Sequence, residues 1–349
     1  MKAGLAVVAA AVAAGVVAAG AVRRRAAAIG ANPDPYPYDL VSREPLGEVV
    51  IVERPDGTRL RTISAGPATA PTVVLAHGIY VSVVEWSVLW DLLLERGYRV
   101  IAFDQRGHGQ STIGSDGIST LSMAGDYLAV LEAFDARDAV LLGHSMGGFL
   151  AIAAVLEVPG VAERLCGLVL MSTFSGDVLR GAPQNKAQIP LIRSGVLQAL
   201  VANDSVGTVF GASICGDEPS PAMVRTFLET FRAADHRALL PVLEAFTVED
   251  RADRLGDITV ATIVLCGQKD ATTPPWQSER LAELIPGAQA WWVPRAGHML
   301  NWEAPAAILE AIDDLVRGRV TAPRSAHAST PYVRSQYNWR TLSRDSPTI

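Results

Sequence analysis

Short apolar runs alternating with helix-period patterns constrain this chain more than any other feature. The runs are residues 71–76 (PTVVLA), 99–103 (RVIAF), 139–142 (AVLL), 167–171 (GLVLM), 261–265 (ATIVL) and 290–293 (AWWV). Val, Ile and Leu follow one another there without polar alternation, which marks strands covered on both faces. Amphipathic patterns over 83–95, 121–134, 145–156 and 305–316 supply the covering helices. Before them, residues 48–64 read as two strands about Pro55-Asp56-Gly57, a hairpin turn signal. The class is α/β, with a mostly parallel central sheet flanked by helices and opened by an antiparallel hairpin. At 49% hydrophobic and 19% charged residues, the chain can build such a core, and global disorder is excluded.

One stretch breaks the rhythm. Residues 177–256 hold no clear strand, but amphipathic patterns recur at 189–201, 222–231 and 237–246. A helical insert between two strands of a parallel sheet sits above the carboxyl edge, so a cap over the ligand crevice is expected. The rival reading is a set of ordinary peripheral helices. The expected organisation is an apolar N-terminal segment (1–25), a Pro-marked linker (26–47), a core of 48–176 and 257–318, the cap, and a loose Ser/Thr/Pro/Arg-rich tail (319–349).

The chemistry concentrates at Gly143-His144-Ser145-Met146-Gly147, a GxSxG that follows an apolar strand and opens a helix. That setting lifts a serine hydroxyl from the sheet edge, and the flanking glycines give the strained bend its clearance. Ser145 is the candidate nucleophile. A serine hydroxyl needs a base, and the base needs an orienting carboxylate. His298, in the loop after the last strand, is the candidate base. His77 and His144 adjoin glycines and are expected to serve backbone or packing contacts; His108, His236 and His327 lie in other segments. Asp270, just beyond the strand 261–265, fits the chain order Ser, Asp, His; Asp253 and Asp257 precede that strand. The alternative for Asp270 is a cap on the helix beginning near Pro274. Acyl transfer also needs amide donors for the carbonyl oxygen, and the N–H groups of Met146 and Ile79 are the candidates.

Taken together, His77-Gly78-Ile79, Asp104-Gln-Arg-Gly-His-Gly-Gln-Ser111, Gly143-His-Ser-Met-Gly147, Gly267-Gln-Lys-Asp270 and Gly297-His298 resemble the α/β-hydrolase superfamily, in its serine esterase and lipase-like branch, over about 48–317. The resemblance implies the α/β-hydrolase fold and a Ser145/His298/Asp270 triad. It also implies that Asp104, Arg106, Gly107 and Gly109 are structural. Epoxide hydrolases and haloalkane dehalogenases carry aspartate where Ser145 stands. The loop after His77-Gly78 lacks the Glu-His pair of monoacylglycerol lipases. Cofactor-free haloperoxidase members share the triad.

The expected activity is hydrolysis of carboxylic esters through an acyl-enzyme on Ser145. The cap supplies Leu191, Ile192, Val196, Leu197, Leu200, Phe227, Phe231, Leu239, Leu240, Leu243 and Phe246, which favours apolar or lipid-like acyl groups. The alternatives are an acyltransferase, a haloperoxidase-like activity on the same triad, and a non-catalytic membrane-tethered binding protein. No cofactor or metal is expected: Cys166, Cys215 and Cys266 are odd in number and outside metal-ligand spacing. A net charge of −6 without a basic stripe argues against nucleic acid as a partner. Residues 3–22 are uncharged and long enough to span a bilayer. A membrane anchor is expected, with Arg23, Arg24 and Arg25 keeping the catalytic domain cytoplasmic. Export after signal cleavage is the rival. Oligomeric state is not legible.

Overall fold

The computed structural model describes residues 18–176, 178 and 189–321, together with the backbone of 332–334. Residues 18–30 (α1) and a single turn, Tyr38–Val41 (α2), lead into the hairpin β1 (Glu48–Glu53) and β2 (Arg59–Ala65). Alternation follows: β3 (Thr72–Ala76), α3 (Ser87–Glu95), β4 (Arg99–Phe103), α4 (Thr120–Ala133), β5 (Ala139–His144), α5 (Met146–Glu157) and β6 (Leu165–Met171). Five helical pieces come next: residues 189–193 (α6), α7 (Val196–Val201), α8 (Asp204–Ala212), α9 (Pro221–Ala233) and α10 (Leu240–Val248). The chain then completes the sheet with β7 (Thr262–Gly267), α11 (Pro275–Leu284), β8 (Gln289–Val293), α12 (Leu300–Glu303), α13 (Pro305–Val316) and β9 (Tyr332–Arg334).

The strand order is β1-β2-β4-β3-β5-β6-β7-β8-β9. β1, β2 and β4 pair antiparallel, and every other pairing is parallel. Central strands β3, β5 and β7 are buried at every position, as their unbroken apolar runs require. Successive side chains enter opposite layers. Val73, Leu75, Val140 and Leu142 join Leu89 and Trp90 of α3 and Ile308 and Ile312 of α13. Val74, Ala76 and Leu141 join Tyr127 of α4 and Phe149 of α5. This is the α/β-hydrolase architecture, and its carboxyl edge carries the loops discussed below.

Several expectations change in detail. The helix expected over 83–95 is split: Val83–Trp86 is a 3-10 turn because Ser82 Oγ accepts the Val84 amide and Asp104 Oδ1 the Val83 amide. α8 was not legible, since two glycines interrupt its pattern. Asn203 caps it, and a Cβ on Gly211 would lie 3.0 Å from Val224 of α9, so the glycine serves close helix packing. Residues 26–47, expected as a linker, are packed in place. Ile29 and Val41 are buried, Asn32 donates to Pro219 O at 2.9 Å, and Asp34 accepts the Ser220 hydroxyl and the Ala222 amide of the α9 N-terminus. The tail contributes β9, which pairs with the otherwise open edge of β8. The apolar run 3–22 lies outside the described residues up to residue 17, and 18–22 belong to α1. Among the described residues, no helix is long and apolar enough to cross a membrane.

Candidate active site

Between β5 and α5 stands one residue, Ser145, with φ 52° and ψ −117°. A positive φ is strained for a residue with a Cβ and persists only where the surroundings over-determine it. Here they do. The Ser145 amide donates to Met171 O at 3.0 Å, and its carbonyl accepts from Gly148 N, Phe149 N and, at 2.6 Å, Thr173 Oγ1. A Cβ on Gly147 would fall 2.1 Å from Ala76 O, and one on Gly143 would fall 2.5 Å from Gly147 O. β3, β5 and α5 meet so closely that only glycine fits at either position.

His298 follows β8 and is buried, as is Asp270 after β7. The ring's Nδ1–H donates to Asp270 Oδ2 at 2.8 Å. The carboxylate is held in turn by Thr273, whose hydroxyl donates to Oδ2 at 2.8 Å, and by the Thr272 and Thr273 amides on Oδ1. Burial pushes the Asp270 acid upward, but the His298 charge and these hydrogen bonds outweigh it, and the carboxyl stays below its ordinary value. Asp270 therefore closes its own turn and holds the imidazole at once; it does not cap α11, whose N-cap is Pro274 with no side-chain cap hydrogen bond. With Nδ1 committed to Asp270, Nε2 is the nitrogen left for exchange.

Ser145, His298 and Ile79 line one cavity of about 330 Å³ under the cap. No hydrogen bond joins Ser145 Oγ to the ring; such contacts are often loose before substrate binds. Met146 is buried as the first residue of α5. Among the described residues no acceptor takes the Met146 or Ile79 amide, and a helix start favours developing negative charge. The loop of Gly78 and Ile79 presses on the elbow: a Cβ on Gly78 would lie 3.5 Å from Ser145 Cβ.

Sequence reasoning overlooked the groups that tie these loops together. Glu85 Oε2 accepts the Gly78 amide at 3.0 Å, and its Oε1 lies 2.6 Å from His144 Nδ1. His144 Nε2 meets the His298 carbonyl at 3.0 Å. Burial alone would lower the His144 pKa, yet the Glu85 carboxylate beside it outweighs burial and raises it. One buried carboxylate–imidazole contact thus links the loop of Gly78, the elbow and the loop of His298. His144 was expected to serve backbone or packing contacts; its Nε2 does, its Nδ1 does not. Glu303 of α12 accepts the Gly216, Gly297 and Met299 amides, stitching the cap to the base loop. The signal for Glu85 was present, an acidic residue inside an apolar helix pattern, but its partner lies far along the chain. Asp104 and Arg106 are structural: Arg106 pairs with Asp56 and Asp126, and Asp104 accepts the Val83 and Gln110 amides.

Leu191, Leu197, Phe210, Ile214, Phe227, Phe231 and Met299 make the rest of the cavity mostly apolar. Of the cap residues singled out for an acyl site, four reach it. Ile192, Leu239 and Phe246 pack the interior, and Val196 and Leu200 are exposed.

A family model described as alpha/beta hydrolase fold matches residues 71–305. The chain belongs to the α/β-hydrolase family. Among α/β-hydrolase relatives, it is 32% identical over 217 residues to a non-heme chloroperoxidase from Burkholderia pyrrocinia, covering 60% of this chain and 78% of that one. A 2-hydroxy-6-oxononadienedioate/2-hydroxy-6-oxononatrienedioate hydrolase from Cupriavidus pinatubonensis is 30% identical over 262 residues, 71% of this chain and 88% of that one. Among solved α/β-hydrolase structures, an esterase from Exiguobacterium antarcticum superposes with a TM-score of 0.69 at 24% identity, covering 78% of this chain and 100% of that one. At that identity the likeness speaks to the fold.

Proposed function

We propose that this protein hydrolyses carboxylic esters of apolar acids through an acyl-enzyme on Ser145. The observation that carries the reading is a strained serine on the wall of an apolar cavity that also holds an imidazole bound to a buried carboxylate. Ser145 Oγ attacks the acyl carbon while His298 Nε2 takes its proton; the same proton passes to the departing alkoxide. Asp270 keeps the ring oriented and stabilises its charge. The Met146 and Ile79 amides receive the oxyanion, each donor being worth roughly 3 kcal/mol in such sites. Water then attacks the acyl-enzyme with His298 as base, releasing acid and free serine.

The cavity lies at the small end of the roughly 300–1,000 Å³ of small-molecule sites. Medium acyl chains therefore suit it better than long lipid chains. A panel of p-nitrophenyl esters from acetate to palmitate tests this: kcat/KM is expected to peak at intermediate length, and a peak at acetate with nothing beyond butyrate would defeat the apolar-acyl reading. A fluorophosphonate probe is expected to label the protein, and Ser145→Ala to abolish labelling. The 32%-identical chloroperoxidase motivates a second reading, in which hydrogen peroxide replaces water at the acyl-enzyme to give a peracid. Halide oxidation dependent on both peroxide and a carboxylic acid would favour it.

A further inference from the structure

Thr173 does not line the cavity, yet it lies directly behind the candidate nucleophile. It follows β6 closely in the chain and is wholly buried. Its hydroxyl donates to the Ser145 carbonyl at 2.6 Å. The surroundings are shaped to bring it there. Ser172, one residue earlier, holds φ 47°, a left-handed conformation that turns the chain at the end of β6. The Ser172 amide pins that turn by donating to Leu265 O at 2.8 Å. Across the gap, a Cβ on Gly148 would fall 2.6 Å from Thr173 Cβ, Cγ2 and Oγ1. Glycine at 148 is what admits the threonine against the first turn of α5. A strained residue on one side and an obligatory glycine on the other converge on a single hydrogen bond.

The accepting carbonyl does not need that bond to be satisfied. Gly148 N and Phe149 N already donate to it at 3.0 and 3.1 Å, as the opening bonds of α5. A carbonyl oxygen has two lone pairs, so the hydroxyl is a third and shorter donor where two suffice. Valine, of nearly the same shape, would fill the space with no hydroxyl to bury. What the hydroxyl changes is the peptide unit itself. The Ser145 carbonyl and the Met146 amide belong to one trans, planar peptide group, so they point in opposite directions. With the oxygen held on the α5 side, the Met146 N–H is aimed back off the helix start. Among the described residues no acceptor takes it there. A donor on the oxygen polarises the amide and strengthens whatever bond the N–H then forms.

We propose that Thr173 is a positioning residue for the oxyanion: through the shared peptide it orients and strengthens the Met146 amide that receives the negative charge during acyl transfer. This rests on the reading of Ser145 as the nucleophile of an ester hydrolase. Thr173 meets no substrate and exchanges no proton.

The test uses the full chain and Thr173→Val, with rates normalised to the sites titrated by a fluorophosphonate. Losing one oxyanion donor costs roughly 10²–10³ in rate, and a coupled bond strengthens a donor by about 10–30%, so kcat/KM on p-nitrophenyl hexanoate should fall roughly 2–8-fold. Pentylboronic acid forms a tetrahedral adduct on Ser145 that places an oxygen where the oxyanion forms, and its Ki should rise by the same factor. 1-Hexanol, which fills the cavity without an adduct, should inhibit both proteins equally. Thr173→Ser, which keeps the hydroxyl, should restore the wild-type values. If Thr173→Val yields no folded protein, Thr173→Ala takes its place with the same expectation. Equal boronate affinity with and without the hydroxyl overturns the proposal. So does a loss of hexanol affinity as large as that of the boronate, which would mark the residue as structural, and so does a serine variant as impaired as the valine. Boronate binding is read without turnover. If it depends on the hydroxyl while no ester is hydrolysed, the hydrolytic reading fails and the role of Thr173 stands; if the boronate binds no variant, the nucleophile and the proposal fall together.

Discussion

The two halves of the candidate site are held by different physics. The elbow that carries Ser145 is fixed by backbone: a strained dihedral, three close glycine contacts and hydrogen bonds to its own amide and carbonyl. Gly143, Gly147, Gly148 and Phe149 lie within five residues of Ser145, and the neighbouring strands supply Ala76, Gly78, Met171 and Thr173. The loop that carries His298 is fixed by Asp270, Ile214 O and the His144 ring from distant segments, and by Glu303 from the helix that follows it. The lesson is that the candidate nucleophile is placed by backbone sterics, which tolerate almost no substitution, whereas the candidate base is placed by an electrostatic network. Such a network weakens in steps.

Variants can break or sharpen that contrast. The largest effect is expected from Asp270→Asn, which leaves the ring packed but unable to keep Nδ1 as the donor: kcat should fall by about 10³–10⁴-fold with the fold intact by circular dichroism. A loss below 10-fold would show that His298 needs no carboxylate. Next comes Gly147→Ala, whose methyl has nowhere to go beside Ala76 O. It should cost about 3 kcal/mol or more, read as a denaturant midpoint shift, or fail to give folded protein. An unaltered midpoint would deny that steric crowding fixes the elbow.

Glu85→Gln should be intermediate. It keeps the shape but removes the carboxylate charge beside His144 at the junction of three loops. We expect kcat to fall roughly 10–100-fold with little change in KM, since neither residue is required to touch the acyl chain. Equal losses in kcat/KM and melting temperature, with kcat unchanged in the folded fraction, would reduce the pair to a purely structural role.

The smallest effect concerns Glu303. Burial raises its pKa to about 7, the Asp270 charge adds to the rise, and three backbone amides oppose it. A carboxyl whose folded pKa exceeds its unfolded value binds more protons in the folded state. Its contribution to stability is full below the unfolded value of 4.5 and is lost as pH rises toward and through 7. Wild-type stability should therefore carry a downward component across that window, on the order of 1 kcal/mol per pH unit at its steepest. The component should vanish in Glu303→Gln. Parallel pH profiles for the two proteins would refute the protonated clamp.

Much of this was legible in the chain. Ser145, Asp270 and His298 could be singled out as candidates because each follows a recognisable apolar strand, and β3, β5 and β7 read as buried runs without alternation. α8 was hidden because Gly207 and Gly211 lower helix propensity, and their use, close approach to α9, exists only after the cap packs. Glu85 and His144 stayed hidden because they meet each other and the His298 carbonyl only across distant segments, and Glu303 because the cap amide it accepts, Gly216, lies 87 positions away. Residues 26–47 read as a linker from three prolines, although Asp34 and Asn32 find partners on the cap some 190 positions later.

The sequence alone determined the layered α/β arrangement and the bend that exposes a serine, because apolar periodicity and glycine placement act over a few residues and do not depend on what arrives later. Only the tertiary structure decided which imidazole keeps its ring against a carboxylate and how large the cavity is. Those properties are set by distances between segments that no local pattern encodes, and by burial, which turns each such distance into an electrostatic consequence.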